Sequence, residues 1–298
     1  MSTPSARGRE AASASAVPPQ GWSSVLLAAH PAKRAVEKRW LAYTLVWGAV
    51  CGIVMVGGFA ERFADLALLG LGAGIAIPAM VLPFLVRVDE ERGRRWHDTA
   101  GFKLALSVVV FSVLLNYTQT PFFFDVLQAH FGFRSTLNIR NNPVFLYLMT
   151  IAYFSTYSVL LMMAYRASQH LLAATPFVVR VLGAGLACLV VAGLETVLNA
   201  NPFTQHLYCF DDMTFALWFG SLAYGLSFMF ILPVWIGIDE RPGECTPWLR
   251  VVAFVFAAVS ADSLALDVLR YHVAPHFTTV HEGAVGLGDV ATSCLARP

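Results

Sequence analysis

Beyond residue 39, long apolar stretches alternate with short polar ones. Seven stretches stand out, at 40–60, 66–88, 102–119, 144–166, 176–199, 214–238 and 248–271. Each is close to the about 20 residues that a helix needs to cross a bilayer core. Six carry little charge, and the seventh is interrupted by Asp262 and Asp267. Pro78 and Pro83 fall inside the second, where membrane helices tolerate proline as a kink. The pattern predicts an all-α fold, a polytopic membrane helix bundle of about seven transmembrane helices. It divides the chain into a flexible basic N-terminal tail over 1–39, a seven-helix domain over 40–271 and a C-terminal tail over 272–298. No short apolar core with a cleavage site stands in the first tail, so no secretory signal is expected.

Composition agrees with this reading. The chain is 57% hydrophobic and 13% charged, against about 45–50% and about 25% in an ordinary soluble domain. A soluble core of 298 residues does not hide that much apolar surface. A net charge of +1 leaves no bulk charge for nucleic acid, and no nucleic-acid partner is expected. The five cysteines show no CxxC spacing, which points neither to a zinc site nor to a disulfide framework.

Lys and Arg set the orientation. With the N-terminus inside, only Arg62, Arg134, Arg140, Arg270 and Arg297 of the 20 cationic residues fall outside. The expected location is an integral multi-pass one, in a bacterial cytoplasmic membrane or in the endoplasmic reticulum.

Ionisable groups inside a bilayer are costly, so they are the first place to look for function. Glu195, Asp262 and Asp267 are the carboxylates within spans. Spans three, five and seven run the same way, which places Asn116, Tyr117, Glu195 and Asp267 at one depth near the outer surface. Ser112, Asn116 and Thr120 share one helix face, as do Glu195 and Asn199, and as do Ser260, Ser263 and Asp267. Three polar stripes at one depth are expected to face one another rather than lipid. Asp262 lies on a different face from Asp267 and is the weaker candidate. Among the 22 Phe, 9 Tyr and 7 Trp, Phe123 follows span three and Tyr157 lies on one face of span four with Met149 and Tyr153. These are expected to belong to interface belts and packing or to line an apolar cavity.

Several chemistries drop out. Lys33, Lys38 and Lys103 are the only lysines, and none lies deep in a span. The histidines fall in loops and span ends, which disfavours bundle-core haem or a di-iron centre. His272 and His276 have helical spacing, but Pro275 disturbs the helix between them. No nucleotide-binding or hydrolase motif is present. No metal and no cofactor are expected.

A set of short pieces, in order from about residue 30 to 276, carries a resemblance. It comprises His30-Pro31-Ala32-Lys33-Arg34 with Glu37, Tyr43-Thr44 and Trp47, then Ile77-Pro78-Ala79 with Pro83. Next come Lys103, Asn116-Tyr117, Thr120 and Phe123-Phe124, and then Asn141-Asn142-Pro143. Leu194-Glu195-Thr196, Ala200-Asn201, Asp239-Glu240, Leu266-Asp267, Arg270 and Pro275 complete it. The set resembles the cycloeucalenol cycloisomerase family. Thr150 and Ser158 stand where that family would place histidines, and Asp212 where it would place a basic residue.

The resemblance implies a sterol isomerase that opens a 9β,19-cyclopropane ring to give a Δ8 sterol without a redox cofactor. Its partners would be a sterol or triterpenoid lipid and the membrane, with no protein partner expected. Such chemistry needs an acid that keeps its proton near neutral pH, and burial favours the neutral carboxyl. It needs π-faces or an anion beside the carbocation, and a base to remove the neighbouring proton. Glu195 and Asp267 are the expected proton-transfer residues. Asn116, Tyr117, Thr120, Phe123, Tyr157, Tyr43 and Asn142 are the expected substrate contacts. Glu37, Asp239 and Glu240 are the next acids in line. The other reading is a non-catalytic lipid-binding or sensory protein, which has no need of two acids in one cavity.

Overall fold

The computed structural model describes residues 22–85, 88–280 and 294. Residues 1–21 of the expected N-terminal tail, and 281–293 with 295–298 of the C-terminal one, lie outside the described residues. The helices are α1 (Trp22–Leu26), α2 (Pro31–Cys51), α3 (Asp65–Val81), α4 (Ala100–Asp125), α5 (Val144–Leu171), α6 (Phe177–Asn199), α7 (Met213–Ile236) and α8 (Trp248–Val268). All but the short α1 belong to seven helical segments long and apolar enough to cross a membrane. The chain is a multi-pass helical membrane protein, as the hydropathy pattern predicts.

The first span begins at Pro31, well before residue 40. His30 Nδ1 accepts from the Ala32 amide at 3.3 Å. Pro31 supplies the fixed φ that suits a first helical turn. Apolarity alone misses this turn because Lys33 and Glu37 are part of it. Both are fully buried. Lys33 Nζ donates to the carbonyls of Trp235 and Ile238, each at 2.7 Å, and pairs with Glu240 at 2.7 Å. Arg166 bonds Glu37 at 2.7 Å and Glu240 at 2.6 Å. Lys103 pairs with Asp239, both fully buried. Burial alone would raise the Glu240 carboxyl, but bonds to Arg166 and charge from Lys33 outweigh it and hold the group below its ordinary value. The three acids next in line are thus bound up in a charge cluster that ties α2, α4 and α5 to the α7–α8 loop.

Helix α5 is the hub, packing against α2, α3, α4, α6 and α7. The outward face of α6 is apolar and exposed from Phe177 through Leu186 and Val190 to Leu198, as a lipid-facing helix requires. At the end away from the charge cluster, two short antiparallel strand pairs cap the bundle. Strand β1 (Ala129–Phe131) pairs antiparallel with β4 (Tyr208–Phe210). Strands β2 (Asn138–Ile139) and β3 (Asn142–Pro143) form the second. Arg140 and Asn141 between them have φ of 55° and 62°, the two positive values that a tight primed hairpin turn needs. Gly132 follows β1 where a Cβ would stand 1.9 Å from the His206 carbonyl, so no other residue fits. Asp212, unexpected on the family pattern, caps α7 by accepting from the Phe215 amide at 2.9 Å.

Cys209 and Cys294 form a disulfide, contrary to the reading of scattered cysteines. Their separation of 85 residues gives no sequence signal for pairing. Side chains alternate along β4. Tyr208 and Phe210 line the cavity below the cap, which leaves Cys209 on the opposite face.

Candidate functional site

A cavity of about 120 Å³ opens among α4, α5, α6, α7 and the β1–β4 cap. Its wall is rich in aromatic rings, with Phe123, Phe154, Tyr153, Tyr224, Tyr208 and Phe210 among the lining side chains, and it also carries polar groups, His130 among them. Burial raises the Tyr208 hydroxyl above its ordinary value, so this phenol stays neutral.

Glu195 is the carboxylic acid on that wall. It is 6% exposed, on the inner face of α6 with Cys188, Val191 and Ala192. Asn199, one turn on, donates Nδ2 to Glu195 Oε1 at 2.8 Å. Oε2 makes no bond to protein among the described residues. The next wall segment is an amide and hydroxyl network. Asn116 Nδ2 donates to the Ser112 carbonyl at 2.8 Å and to Thr150 Oγ1 at 2.7 Å. Asn116 Oδ1 accepts from Asn142 Nδ2 at 3.0 Å. Thr120 donates its hydroxyl to the Asn116 carbonyl. Thr150, where the family pattern suggests histidine, closes the network to Ser112 at 2.7 Å.

The cavity therefore gathers Glu195, Asn116, Thr120, Phe123 and Asn142. It does not gather the other four. Asp267 is exposed, in a separate surface depression with Thr118, Arg140, Ser263 and Arg270. Tyr117 is 49% exposed, under the Arg140 guanidinium at 4.9 Å. Tyr43 donates to the Ile75 carbonyl at 2.8 Å, between α2 and α3. Tyr157 is core, packed on Phe154 and Phe228.

The outward placement of Asp267 follows from the facing of α8. Its buried stripe is Val251, Val255, Ala258, Val259, Asp262 and Leu266. The Ser260, Ser263 and Asp267 stripe faces outward. Asp262 is the carboxyl that α8 turns into the bundle, where its Oδ1 accepts from Ser227 Oγ at 2.9 Å. Ser227 in turn accepts from Gln119 Nε2 at 3.1 Å, and Gln119 lines the cavity. Gln119 lies off the predicted polar stripes, and Asp262, the weaker candidate, is the one that faces inward. The signal for Asp262 is its spacing from five apolar residues on one helix face. Among the described residues no three His, Cys, Asp or Glu side chains cluster as metal ligands would.

No family model and no solved structure matches the chain. The chain is 31% identical over 258 residues to the cycloeucalenol cycloisomerase of Arabidopsis thaliana. That alignment covers 85% of this chain and 90% of the relative. With this identity running through nearly all of both proteins, and with seven membrane-spanning helices around an acid-bearing cavity, the chain belongs to the cycloeucalenol cycloisomerase family.

Proposed function

We propose that the chain is a sterol isomerase that opens the 9β,19-cyclopropane ring of a cycloeucalenol-like sterol to an obtusifoliol-like Δ8 sterol. The observation that carries this reading is one carboxyl, Glu195, set in a cavity rich in aromatic rings, with one oxygen held by Asn199 and the other unbonded among the described residues.

Substrate and product are isomers, so the reaction needs an acid and a base and no net oxidation. Glu195 gives its proton to the cyclopropane methylene, which becomes a methyl group as its bond to C9 breaks. The positive charge at C9 lies among the faces of Phe123, Tyr153 and Tyr224, which attract cations. Loss of the C8 proton then forms the alkene. The Glu195 carboxylate left by the first step is a base on the same wall, so one side chain serves as acid and then base. Asn199 holds the carboxyl in place during both steps. The Asn116 network keeps the wall in register and spends its own hydrogen bonds on protein.

The cavity is smaller than the about 300–1,000 Å³ of typical ligand sites. A tetracyclic sterol therefore enters as lining side chains turn aside, with Phe123 and the cap residues Tyr208 and Phe210 the nearest. The cap end faces the outer compartment, opposite to the N-terminus. Two features support this orientation: the bias of Lys and Arg, and the Cys209–Cys294 disulfide at the cap, which suits an oxidising compartment.

The test is to incubate the purified full chain with a cyclopropyl sterol and analyse the sterols formed. A Δ8 product carrying solvent deuterium in its new methyl group is expected. Bound but unchanged sterol would instead favour the lipid-binding reading.

A further inference from the structure

Gln119 is a polar residue in the cavity whose hydrogen bonding the acid–base reaction leaves unexplained. Its side chain is 2% exposed, yet it lines the cavity. Its Nε2 is committed to Ser227 Oγ at 3.1 Å. Its Oε1 has no protein partner among the described residues. Asn116, one turn away, differs in that both ends of its amide are bonded to protein.

The orientation of the Gln119 amide is set from behind. Ser227 has one proton. Asp262 Oδ1 accepts it at 2.9 Å, closer than the Ala223 carbonyl at 3.3 Å. With its proton given away, Ser227 accepts from Gln119 and has no proton left to give it. The amide nitrogen therefore turns to Ser227, and the carbonyl oxygen is left for the cavity. Asp262 and Ser227 are fully buried, so solvent does not compete for these bonds.

We propose that Gln119 Oε1 reads the ring hydroxyl of the substrate, with Ser227 and Asp262 as positioning residues that lock it as an acceptor. This rests on the sterol reading for the kind of ligand and adds a selectivity to it. A sterol bearing a secondary alcohol at C3 donates to Oε1. A 3-keto sterol brings a second acceptor to the same place and leaves both oxygens unpaired. Sites built to bond a substrate hydroxyl reject analogues that lack it, because their own polar groups are then stranded.

The experiment measures binding. The purified full chain in nanodiscs is loaded with a radiolabelled cyclopropyl 3-hydroxysterol, which is displaced by the unlabelled sterol or by its 3-ketone. The wild-type protein is expected to prefer the alcohol at least about tenfold, the size of one hydrogen bond. Gln119→Met, close in shape, should bring the two within about twofold. Asp262→Asn can donate to Ser227 and release its proton toward Gln119. The amide then inverts, and the preference should move toward the ketone by at least about fivefold. Ser227→Ala, which removes the lock, replaces it if that variant does not accumulate, and should also narrow the ratio. A purely structural role would weaken both ligands alike and leave the ratio unchanged.

A wild-type ratio near one, or an unchanged ratio in Gln119→Met, overturns the proposal. So does failure to bind either sterol, which removes the sterol reading as well. Preference for the alcohol without Δ8 product would end the isomerase reading and leave the role of Gln119 standing. Δ8 product with a ratio indifferent to Gln119 does the reverse.

Discussion

Asn199 Nδ2 donates to Glu195 Oε1 at 2.8 Å, one helical turn along α6. The contact fixes the carboxyl while the second oxygen makes no bond to protein among the described residues. An amide that anchors one oxygen leaves the other to exchange a proton with whatever occupies the cavity. Glu195→Gln keeps the shape and can still bond Asn199, but it has no acid proton to give. Turnover of a cyclopropyl sterol should fall at least about 100-fold, the lower end of general acid–base contributions. Sterol binding, measured separately, should change little. Near wild-type turnover would remove Glu195 from the mechanism.

The exposed position of Asp267 leads to the opposite expectation. Asp267→Asn should keep turnover within about threefold of wild type, since substitutions at exposed sites away from buried networks are usually worth less than about 0.5 kcal/mol. Asn116→Ala should cost more, about tenfold, because Asn142 and Thr150 lose the amide they bond. A loss of about 100-fold in Asp267→Asn would mean that this carboxyl reaches the substrate, and that the cavity is not the reaction site.

The difference between these two acids shows what was legible in the sequence. Seven spans could be read from apolar runs, because a bilayer core demands length and apolarity and little else. The inward facing of Glu195 could be read because an isolated acid is costly against lipid. The facing of α8 was harder. The spacing of Ser260, Ser263 and Asp267 looked like an interior stripe, but hydroxyls bond back to their own helix: Ser263 donates to the Val259 carbonyl at 2.9 Å. A serine therefore says little about which side is wet. The apolar series ending in Leu266 carried the true facing, with Asp262 embedded in it. The start of α2 was hidden for a related reason, since its charges are buried against partners far away in sequence. Gln119 gave no sequence signal. Its partners are on α7 and, through Ser227, on α8, and only packing brings them together.

The charge cluster at the other end of the bundle makes stability depend on pH in a stated direction. Glu240 is held below its ordinary value by Arg166 and Lys33 against the opposing effect of burial. A carboxyl with a lowered folded value stabilises the fold above its unfolded value, about 4.3. That contribution is lost as pH falls through the lower, folded value. The melting temperature in detergent should therefore drop below about pH 4.5. Glu240→Gln should start lower at pH 7 and show a shallower acid drop. A steeper drop in the variant would reverse the sign. Arg166→Met, which leaves Glu37 without its cation and Glu240 with Lys33 alone, should cost about 3–5 kcal/mol.

The cap supplies a test of orientation as well as of covalent structure. Cys51, Cys188 and Cys245 are free, and Cys209 is joined to Cys294. Unfolded in detergent without reductant, the chain should take up three maleimide labels, and five after reduction. The folded chain separates the sides. Cys245 is exposed in the α7–α8 loop, on the end with the charge cluster, whereas the disulfide lies at the opposite end. In sealed vesicles of known sidedness, a membrane-impermeant maleimide should label Cys245 from the side of the N-terminus. An impermeant reductant followed by label should reach Cys209 from the other side only. Labelling of both from one side would contradict the arrangement of the spans. Both reactions from the reverse sides would keep the bundle and turn it over in the membrane. The Lys and Arg bias and the disulfide argue against that reversal on separate grounds, one from charge during insertion and the other from the redox state of the compartment.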